Sequence, residues 1–406
     1  MRDPINVKKV DLSVKFCGLE FENPFILSSG PPTSNAEKIG RAFEAGWAGA
    51  VTKVLGSKPR PDPHPRIAGL HYGGKLIAIE NIESVIYPLK EWLPKITELK
   101  KKYPEKILIP NLMGGADPEI WQGMIKDVQE AGADMIELNL SCPLTDEVWA
   151  VGAILGQNPD LTREATRLAK EVATVPIMVK LTPNVTDITL IAKAAERGGA
   201  DAISAINTVQ GLIGIDLENM EPLPSVRGIS SFGGISGPAI KPISLRCVAQ
   251  IAKTTKLPIS GIGGISKWED AVEFFMVGAS TVQLCTSVML RGNRMINELK
   301  DGVSSYLYKK GFGSVKEIVG CILSKLKSQE NLDYSYWVLP AVDAARCTKC
   351  ELCRVACQDA GYAAIKIEGD LPKIDEEKCN ACGLCIQVCP HGALLLKPSL
   401  SNKSNK

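Results

Sequence analysis

Eight of the thirteen cysteines lie close together near the end of this 406-residue chain, in two groups of the same spacing. The groups are Cys347-x-x-Cys350-x-x-Cys353-x-x-x-Cys357 and Cys379-x-x-Cys382-x-x-Cys385-x-x-x-Cys389. In this spacing three neighbouring thiolates bind one cubic iron–sulfur cluster, and the fourth thiolate binds the other cluster. We therefore predict two [4Fe–4S] clusters, one on Cys347, Cys350, Cys353 and Cys389 and one on Cys379, Cys382, Cys385 and Cys357. Structural zinc and a disulfide knot are the alternatives, although zinc sites usually show simple paired Cys-x-x-Cys units.

Clusters transfer electrons, so the reaction of a substrate must take place in the preceding part of the chain. There, several short apolar runs are each followed by polar residues. Four such endings are Thr52-Lys53, Asn139-Leu-Ser141-Cys142-Pro143, Lys180-Leu-Thr182 and Asn207-Thr208. One lysine at a strand end is often only a solvated charge, but four polar strand endings that face one mouth favour a shared site. The lysines suit an anionic or electron-rich ring, and the asparagines suit hydrogen bonds to an amide- or imide-like substrate.

Cys142 is the candidate proton donor. A lone thiol is more often a small buried apolar group. Here it opens a sixteen-residue loop over 143–158, and a loop of that length in a compact domain is usually a functional lid. Because the chain has only three histidines, we predict that the thiol acts as the general acid.

The first 330 residues alternate apolar, strand-like runs with amphipathic helical patterns. Eight βα units predict a (β/α)₈ barrel, an α/β fold whose active site lies at the C-terminal ends of the strands. A doubly wound open sheet is the alternative. The runs that predict strands are 25–29, 48–53, 107–113, 135–139, 177–181, 202–206, 258–261 and 281–284, and those that predict helices include 36–45, 120–131, 161–172, 185–197, 242–254 and 267–277.

Two glycine-rich or small polar turns end the last two predicted strands. Gly261-Ile-Gly263-Gly264-Ile-Ser266 lacks the third glycine of a dinucleotide-binding fingerprint and comes late in the chain, so no nicotinamide-binding domain is evident. Cys285-Thr286-Ser287 follows the eighth strand. Barrels often bind phosphate at these two loops, which predicts an anion site there, although the glycines could also simply close tight turns.

Composition sets the domain boundaries and the class of partner. We predict a barrel over 1–330, a linker over 331–342, a small α+β domain with two clusters over 343–396, and a flexible tail over 397–406. A net charge of +2 does not favour nucleic acid or an anionic membrane as partner. No run of eighteen apolar residues and no secretory signal are present, so the expected location is the cytoplasm.

Taken in order, these motifs resemble the dihydropyrimidine dehydrogenase family, and most closely the separate catalytic subunit of its bacterial NAD-dependent type. That subunit has an FMN barrel of the dihydroorotate dehydrogenase type followed by a two-cluster ferredoxin-like domain. The resemblance runs from about Leu12 to Leu396. Its motifs are Lys53, Asn81-Ile-Glu83, Asn139-Leu-Ser-Cys142-Pro, Gly156-Gln-Asn-Pro159, Lys180-Leu-Thr182, Asn207-Thr208, Gly233-Gly-Ile-Ser-Gly237, Gly263-Gly264-Ile265 and Cys285-Thr-Ser287.

The resemblance implies a role for each matching position. The FMN contacts would be Lys53, Lys180, Asn207, Gly237, Gly263, Gly264, Thr286 and Ser287, the last five at or beside the phosphate. The substrate contacts would be Asn81, Asn139, Ser141, Asn207 and Thr208. Cys142 would give a proton to one carbon of a C=C bond while FMN gives hydride to its neighbour.

The function implied is reduction of a pyrimidine-like ring, uracil or thymine, to its 5,6-dihydro form. Electrons would enter through the clusters from an FAD- and NAD(P)-binding flavoprotein subunit or another low-potential donor, in a homodimer or heterotetramer. Residues 144–155 of the lid are more aliphatic than in the family, and residues 111–117 lack a clear counterpart of its pyrimidine-binding asparagine. Two alternatives therefore stay open: the same cofactors acting on a larger or more apolar unsaturated substrate, and an electron-transfer subunit with FMN as a relay.

Overall fold

The chain folds into two compact units. The computed structural model describes residues 10–57, 59–114, 118–140, 145–146 and 151–398. Contacts within the chain divide it between Lys325 and Leu326, close to the predicted end of the barrel at residue 330.

The first unit is a closed ring of eight parallel strands, which confirms the predicted (β/α)₈ barrel. The third strand is interrupted at Pro110, and its continuation Asn111–Leu112 pairs with the fourth strand, so the ring closes without an edge. In ring order the strands are Phe25–Leu27, Gly49–Val51, Ile107–Ile109, Ile136–Asn139, Ile177–Leu181, Ala202–Ala205, Ile259–Ile262 and Ala279–Leu284. Each of them lies within or next to a run predicted from the sequence.

Helices connect the strands, and side-chain caps set where several of them begin. The Asn35 side chain accepts from the backbone N–H of Lys38 at the start of Ala36–Ala45. Asp187 accepts from Thr189 N, which starts the sixth helix at Ile188, later than the predicted 185. The helices of this unit are Ala36–Ala45, Leu89–Lys102, Pro118–Glu130, Ala153–Gln157, Pro159–Val172, Ile188–Arg197, Lys241–Ala252, Trp268–Met276, Thr286–Arg291 and Met295–Lys310.

Apolar residues close the N-terminal end of the barrel. A hairpin of Val14–Phe16 and Leu19–Phe21, which the sequence analysis did not predict, buries Phe16 and Phe21 in one cluster with Met135 and Met178. Since side chains alternate along a strand, Glu137 and Asn139 share the inward face of Met135 and lie successively nearer the open end. The barrel interior therefore changes from apolar to polar towards the mouth.

A four-stranded antiparallel sheet, also not predicted, stands at the mouth of the barrel. Its strands, in order, are Val209–Gly211, Gly233–Ser236, Lys75–Asn81 and Ile67–Tyr72. The buried Glu80 carboxylate accepts hydrogen bonds from the backbone N–H groups of Gly233 (2.7 Å) and Ile213 (2.5 Å). This sheet brings Asn81 and the segment before Gly237 to the site.

The second unit is a small α+β domain, which confirms the predicted ferredoxin-like class. It contains helices Leu352–Asp359 and Leu384–Gln387, the hairpin Ile365–Glu368 with Leu371–Ile374, and the antiparallel pair Val338–Val342 with Leu394–Pro398. The pair corrects two boundaries. Residues 338–342 of the predicted linker form a strand because Val342 packs on the core of this unit, and residues 397–398 of the predicted tail extend its partner strand. Residues 399–406 lie outside the described part of the chain.

Candidate functional site

One cavity at the C-terminal ends of the barrel strands collects the polar residues singled out in the sequence. Its space, including the opening to solvent, is about 1120 Å³. The predicted site residues that line it are Lys53, Asn81, Asn139, Lys180, Asn207, Thr208, Gly237, Gly263, Gly264, Thr286 and Ser287. Ser141 and Cys142, predicted as substrate contact and general acid, lie outside the described residues. The strand ends and the mouth sheet therefore converge on one site.

Two buried cations, Lys53 and Lys180, project from the ends of the second and fifth barrel strands. Only 8% of Lys53 and 5% of Lys180 is exposed. Lys53 Nζ lies 2.8 Å from Glu83 Oε2, and Lys180 Nζ lies 4.0 Å from Glu137 Oε1. Since a buried charge is costly unless paired, these carboxylates stabilise the charged lysines. The cavity thus offers positive charge to an electron-rich ring or an anion.

Two buried acceptors in the cavity wall have no hydrogen-bond partner among the described residues. They are Asn81 Oδ1 and Gln283 Oε1. Buried polar atoms are nearly always hydrogen-bonded, so an orphaned pair in a cavity wall fits a bound group that carries N–H or O–H donors. A ring with amide N–H groups, such as a flavin or a pyrimidine, has such donors.

The turns after the seventh and eighth strands fit the phosphate end of such a group. Gly263 and Gly264 have φ of +121° and +80°, and a Cβ on Gly264 would lie 2.7 Å from the backbone nitrogen of Lys241. Only glycine is accommodated there, and its backbone N–H groups can face an anion. The Ser287 hydroxyl donates to the Ile265 carbonyl at 2.5 Å, and Thr286 Oγ1 donates to Ser236 Oγ at 2.8 Å. The Ser287 bond joins the two turns, and the Thr286 bond connects the second turn to strand Gly233–Ser236 of the sheet at the mouth.

Several further residues of the cavity were assigned no role from the sequence. Ser28, Ser29 and Gly30 follow the first strand, and Glu83 pairs with Lys53. A small polar run after an apolar strand was the available signal for the first three. Cys285 also lines the cavity, and burial together with the nearby Glu83 charge raises its pKa to about 11, although Lys53 and Lys180 act in the opposite sense. Its thiol therefore stays protonated at neutral pH.

In the second unit the eight clustered thiols line two cavities. Cys347, Cys350, Cys353 and Cys389 line one, and Cys357, Cys379, Cys382 and Cys385 line the other. This grouping coincides with the two ligand sets predicted from the spacing. The loops also repeat in conformation, because Lys349 and Glu351 in one, and Ala381 and Gly383 in the other, have positive φ.

The charges around these thiols fit an iron–sulfur group. Burial and, to a lesser extent, the neighbouring Cys379 and Cys382 raise the pKa of Cys385 to about 11, so four thiolates in one cavity need a cation to offset them. The backbone N–H of Ala393, 3.2 Å from Cys389 Sγ, lowers the pKa of that thiol.

A parallel barrel with a cationic, polar mouth, followed by a domain with two four-cysteine cavities, defines a class of protein: a barrel oxidoreductase with an iron–sulfur domain on the same chain. Residues 11–307 match the family described as dihydroorotate dehydrogenase, and residues 340–396 match the 4Fe-4S dicluster domain. The first match spans more than half of the chain. The chain therefore belongs to the dihydroorotate dehydrogenase family.

Similar proteins agree with this assignment. The chain is 42% identical to the NAD-dependent dihydropyrimidine dehydrogenase subunit PreA of Escherichia coli K12, over 88% of this chain and 87% of that protein. It is 41% identical to the dihydroorotate dehydrogenase B (NAD(+)) catalytic subunit of Pyrococcus horikoshii, over 77% of this chain and 98% of that protein. A crystal structure of dihydroorotate dehydrogenase from Eimeria tenella in complex with ferulenol shares the fold, with a TM-score of 0.65 and 24% identity over 79% of this chain and 91% of that one.

These findings confirm the resemblance to the dihydropyrimidine dehydrogenase family and the class of reaction. The chain is an oxidoreductase that acts on CH–CH bonds, and its family implies a flavin and iron–sulfur chemistry. No helix among the described residues is both long and apolar enough to cross a membrane.

Proposed function

We propose that this chain reduces the 5,6 C=C bond of uracil or thymine, using FMN in the barrel and electrons that arrive through two [4Fe–4S] clusters. The observation that carries the proposal is the barrel-mouth cavity, where eleven residues predicted to bind flavin or a pyrimidine lie together, and where the acceptors of Asn81, one of the eleven, and of Gln283 have no partner among the described residues. The 42% identity to the E. coli dihydropyrimidine dehydrogenase subunit supports the substrate class.

The FMN assignment rests on the fit between the cavity and the two ends of that molecule. Gly237, Gly263 and Gly264 and the backbone at Thr286 and Ser287 would hold the phosphate. Lys53, Lys180 and Asn207 would contact the ring system, where positive charge stabilises added electrons. When bound, FMN supplies the hydride for one carbon of the C=C bond.

The remaining residues would bind and protonate the substrate. The amides of Asn81, Asn139 and Asn207 and the hydroxyl of Thr208 would hydrogen-bond to the ring imide and fix its face towards the flavin. The Cys142 thiol would donate its proton to the carbon next to the one that receives hydride, and the resulting thiolate would then take a proton from solvent. The C=C bond thereby gains one hydride and one proton.

The two clusters would receive electrons from a separate protein. The matched relative in E. coli is named as a subunit of an NAD-dependent enzyme, and the described residues carry no dinucleotide-binding fingerprint. A flavoprotein with FAD and NAD(P) sites is therefore the proposed donor, in a homodimer or a heterotetramer. The cytoplasmic location stays a prediction.

Oxidation of dihydroorotate is the second candidate, because the P. horikoshii relative is 41% identical. That similarity covers 313 residues, whereas the similarity to the E. coli dihydropyrimidine dehydrogenase subunit covers 361 residues. The longer match favours the pyrimidine reductase.

Stopped-flow spectroscopy separates these candidates. The flavin-loaded protein would be reduced with dithionite under anaerobic conditions and mixed with uracil, thymine or orotate. We expect uracil and thymine to reoxidise the flavin at least about 100-fold faster than orotate, a difference of about 3 kcal/mol in activation free energy. Faster reaction with orotate would favour the dihydroorotate reading. Reoxidation by none of the three, but by a protein acceptor, would favour a pure electron relay.

A further inference from the structure

Glu137 is a fully buried carboxylate that links five of the eight barrel strands beneath the candidate active site. Asn111 Nδ2 donates to its Oε1 at 2.6 Å, and Ser204 Oγ donates to its Oε2 at 2.7 Å. Gln283 Nε2 donates to Oε2 at 3.4 Å, and Lys180 Nζ lies 4.0 Å from Oε1. Every one of these partners is a donor, which suits an ionised carboxylate because it can only accept. The site is therefore built around a negative charge.

Besides Gln283, which itself lines the cavity, two arms lead from Glu137 to the cavity wall. In the first, Asn111 donates to Glu137 through Nδ2 and accepts, through its Oδ1, a hydrogen bond of 3.2 Å from Asn139 Nδ2. The carboxylate thus fixes the orientation of the Asn111 amide, with Nδ2 towards Glu137. Asn111 Oδ1 in turn fixes the orientation of the Asn139 amide, with Nδ2 towards Asn111. In the second arm, the charge of Glu137 lies beside Lys180, whose side chain is only 6% exposed and lines the cavity.

We propose that Glu137 is a positioning residue that acts through both arms: it orients the Asn139 amide for substrate, and its negative charge tempers the positive field of Lys180 at the flavin. The inference rests on the proposed flavin and pyrimidine site and extends it to a residue that does not line the cavity. Because the surroundings are buried, a charge here acts at low effective dielectric and is felt at the cavity wall. A purely structural carboxylate would affect stability and leave the electrostatics of the flavin unchanged.

The first test is the midpoint potential of the bound flavin in the holoenzyme with Glu137→Gln. Loss of the negative charge stabilises added electrons, so we expect the equilibrium constant for flavin reduction to rise about tenfold, a shift of about +30 mV for a two-electron couple. Thr281→Val is the matched control. Thr281 lies on the same strand as Gln283, and the substitution removes a buried hydrogen bond between uncharged groups, from Thr281 Oγ1 to Ser260 Oγ (2.9 Å). We expect no shift in the control. An unchanged potential in flavin-loaded Glu137→Gln would overturn the electrostatic arm.

The second test breaks the other arm with Asn111→Leu, which also serves if Glu137→Gln does not fold. Uracil binding would be followed through its perturbation of the flavin spectrum. We expect the dissociation constant of uracil to rise about tenfold while the flavin potential stays at the wild-type value. Unchanged uracil binding in this variant would overturn the relay. A wild-type protein that holds no flavin, or that holds flavin without binding uracil, would instead refute the proposed function.

Discussion

Lys53 and Lys180 look equivalent in the sequence but differ in how their charges are balanced. The 2.8 Å separation from Glu83 largely neutralises Lys53, whereas the carboxylate paired with Lys180 among the described residues, Glu137, is at 4.0 Å and is shared with Asn111 and Ser204. Lys180 therefore contributes more of the positive field at the cavity. This difference comes from which carboxylate the fold brings beside each lysine, so the residue types alone could not reveal it.

Replacement of Cys142 tests the proposed proton donor. We expect Cys142→Ala to lower kcat for uracil reduction by about 10²–10⁴-fold, since that is the usual contribution of a positioned general acid. Cys142→Ser should keep a small part of the rate, because a hydroxyl is a weaker acid than a thiol. Flavin content should not change. The rates would be measured as flavin reoxidation in single turnovers.

The comparison variant for that experiment is Cys285→Ala. Among the described residues, Cys285 is the cysteine that lines the cavity, and burial raises its pKa to about 11, so its thiol is protonated at neutral pH. If Cys285→Ala were the slow variant and Cys142→Ala reacted at the wild-type rate, the general acid would be Cys285 and not Cys142.

At the scale of elements, the glycine turn after the seventh strand should decide whether the flavin is retained. Gly264→Ala places a Cβ 2.7 Å from the backbone of Lys241 at a φ of +80°, so the turn must move away from the phosphate position. We expect loss of most bound flavin, measured by absorbance after desalting. Gly311→Ala is the control: it has the same φ and open space, at the end of helix Met295–Lys310. Both variants should lose about 1–2 kcal/mol of stability from the left-handed backbone. Equal flavin retention in the two would contradict the phosphate assignment.

The elements that could be predicted from sequence are those whose apolar runs are continuous. All eight barrel strands are of this kind, because strands buried on both faces carry few polar residues. The mouth sheet could not be found this way, since strand Ile67–Tyr72 is largely exposed and its neighbour Lys75–Asn81 is long and mixed in character. Glu137 was missed for a related reason. It stands between the apolar Ile136 and Leu138, where only the three-dimensional arrangement shows that it meets Asn111 and Ser204.

At the scale of the whole molecule, the same spacing that predicted the ligand sets also predicted the grouping of thiols into two cavities. This part of the site was accessible from sequence because cluster geometry restricts which cysteines can share a cluster. The proposed path of electrons from the second unit to the first could not be predicted from the sequence, because it depends on how separate proteins and units meet.

The proposed roles of the two units, electron transfer in the second and substrate reduction in the first, can be tested by removing one cluster at a time. Cys350→Ser and Cys382→Ser each remove an exposed member of one thiol group, and Cys321→Ser, an exposed cysteine outside both groups, is the control. We expect about eight irons per chain in the wild type and the control, and about four in each of the other variants.

Turnover with a protein electron donor should be lost in both cluster variants, since the electron path is broken. Flavin reduced directly by dithionite should still be reoxidised by uracil at the wild-type rate, because the barrel site is unchanged. Retained turnover with the protein donor after loss of a cluster would show that electrons reach the flavin by another route.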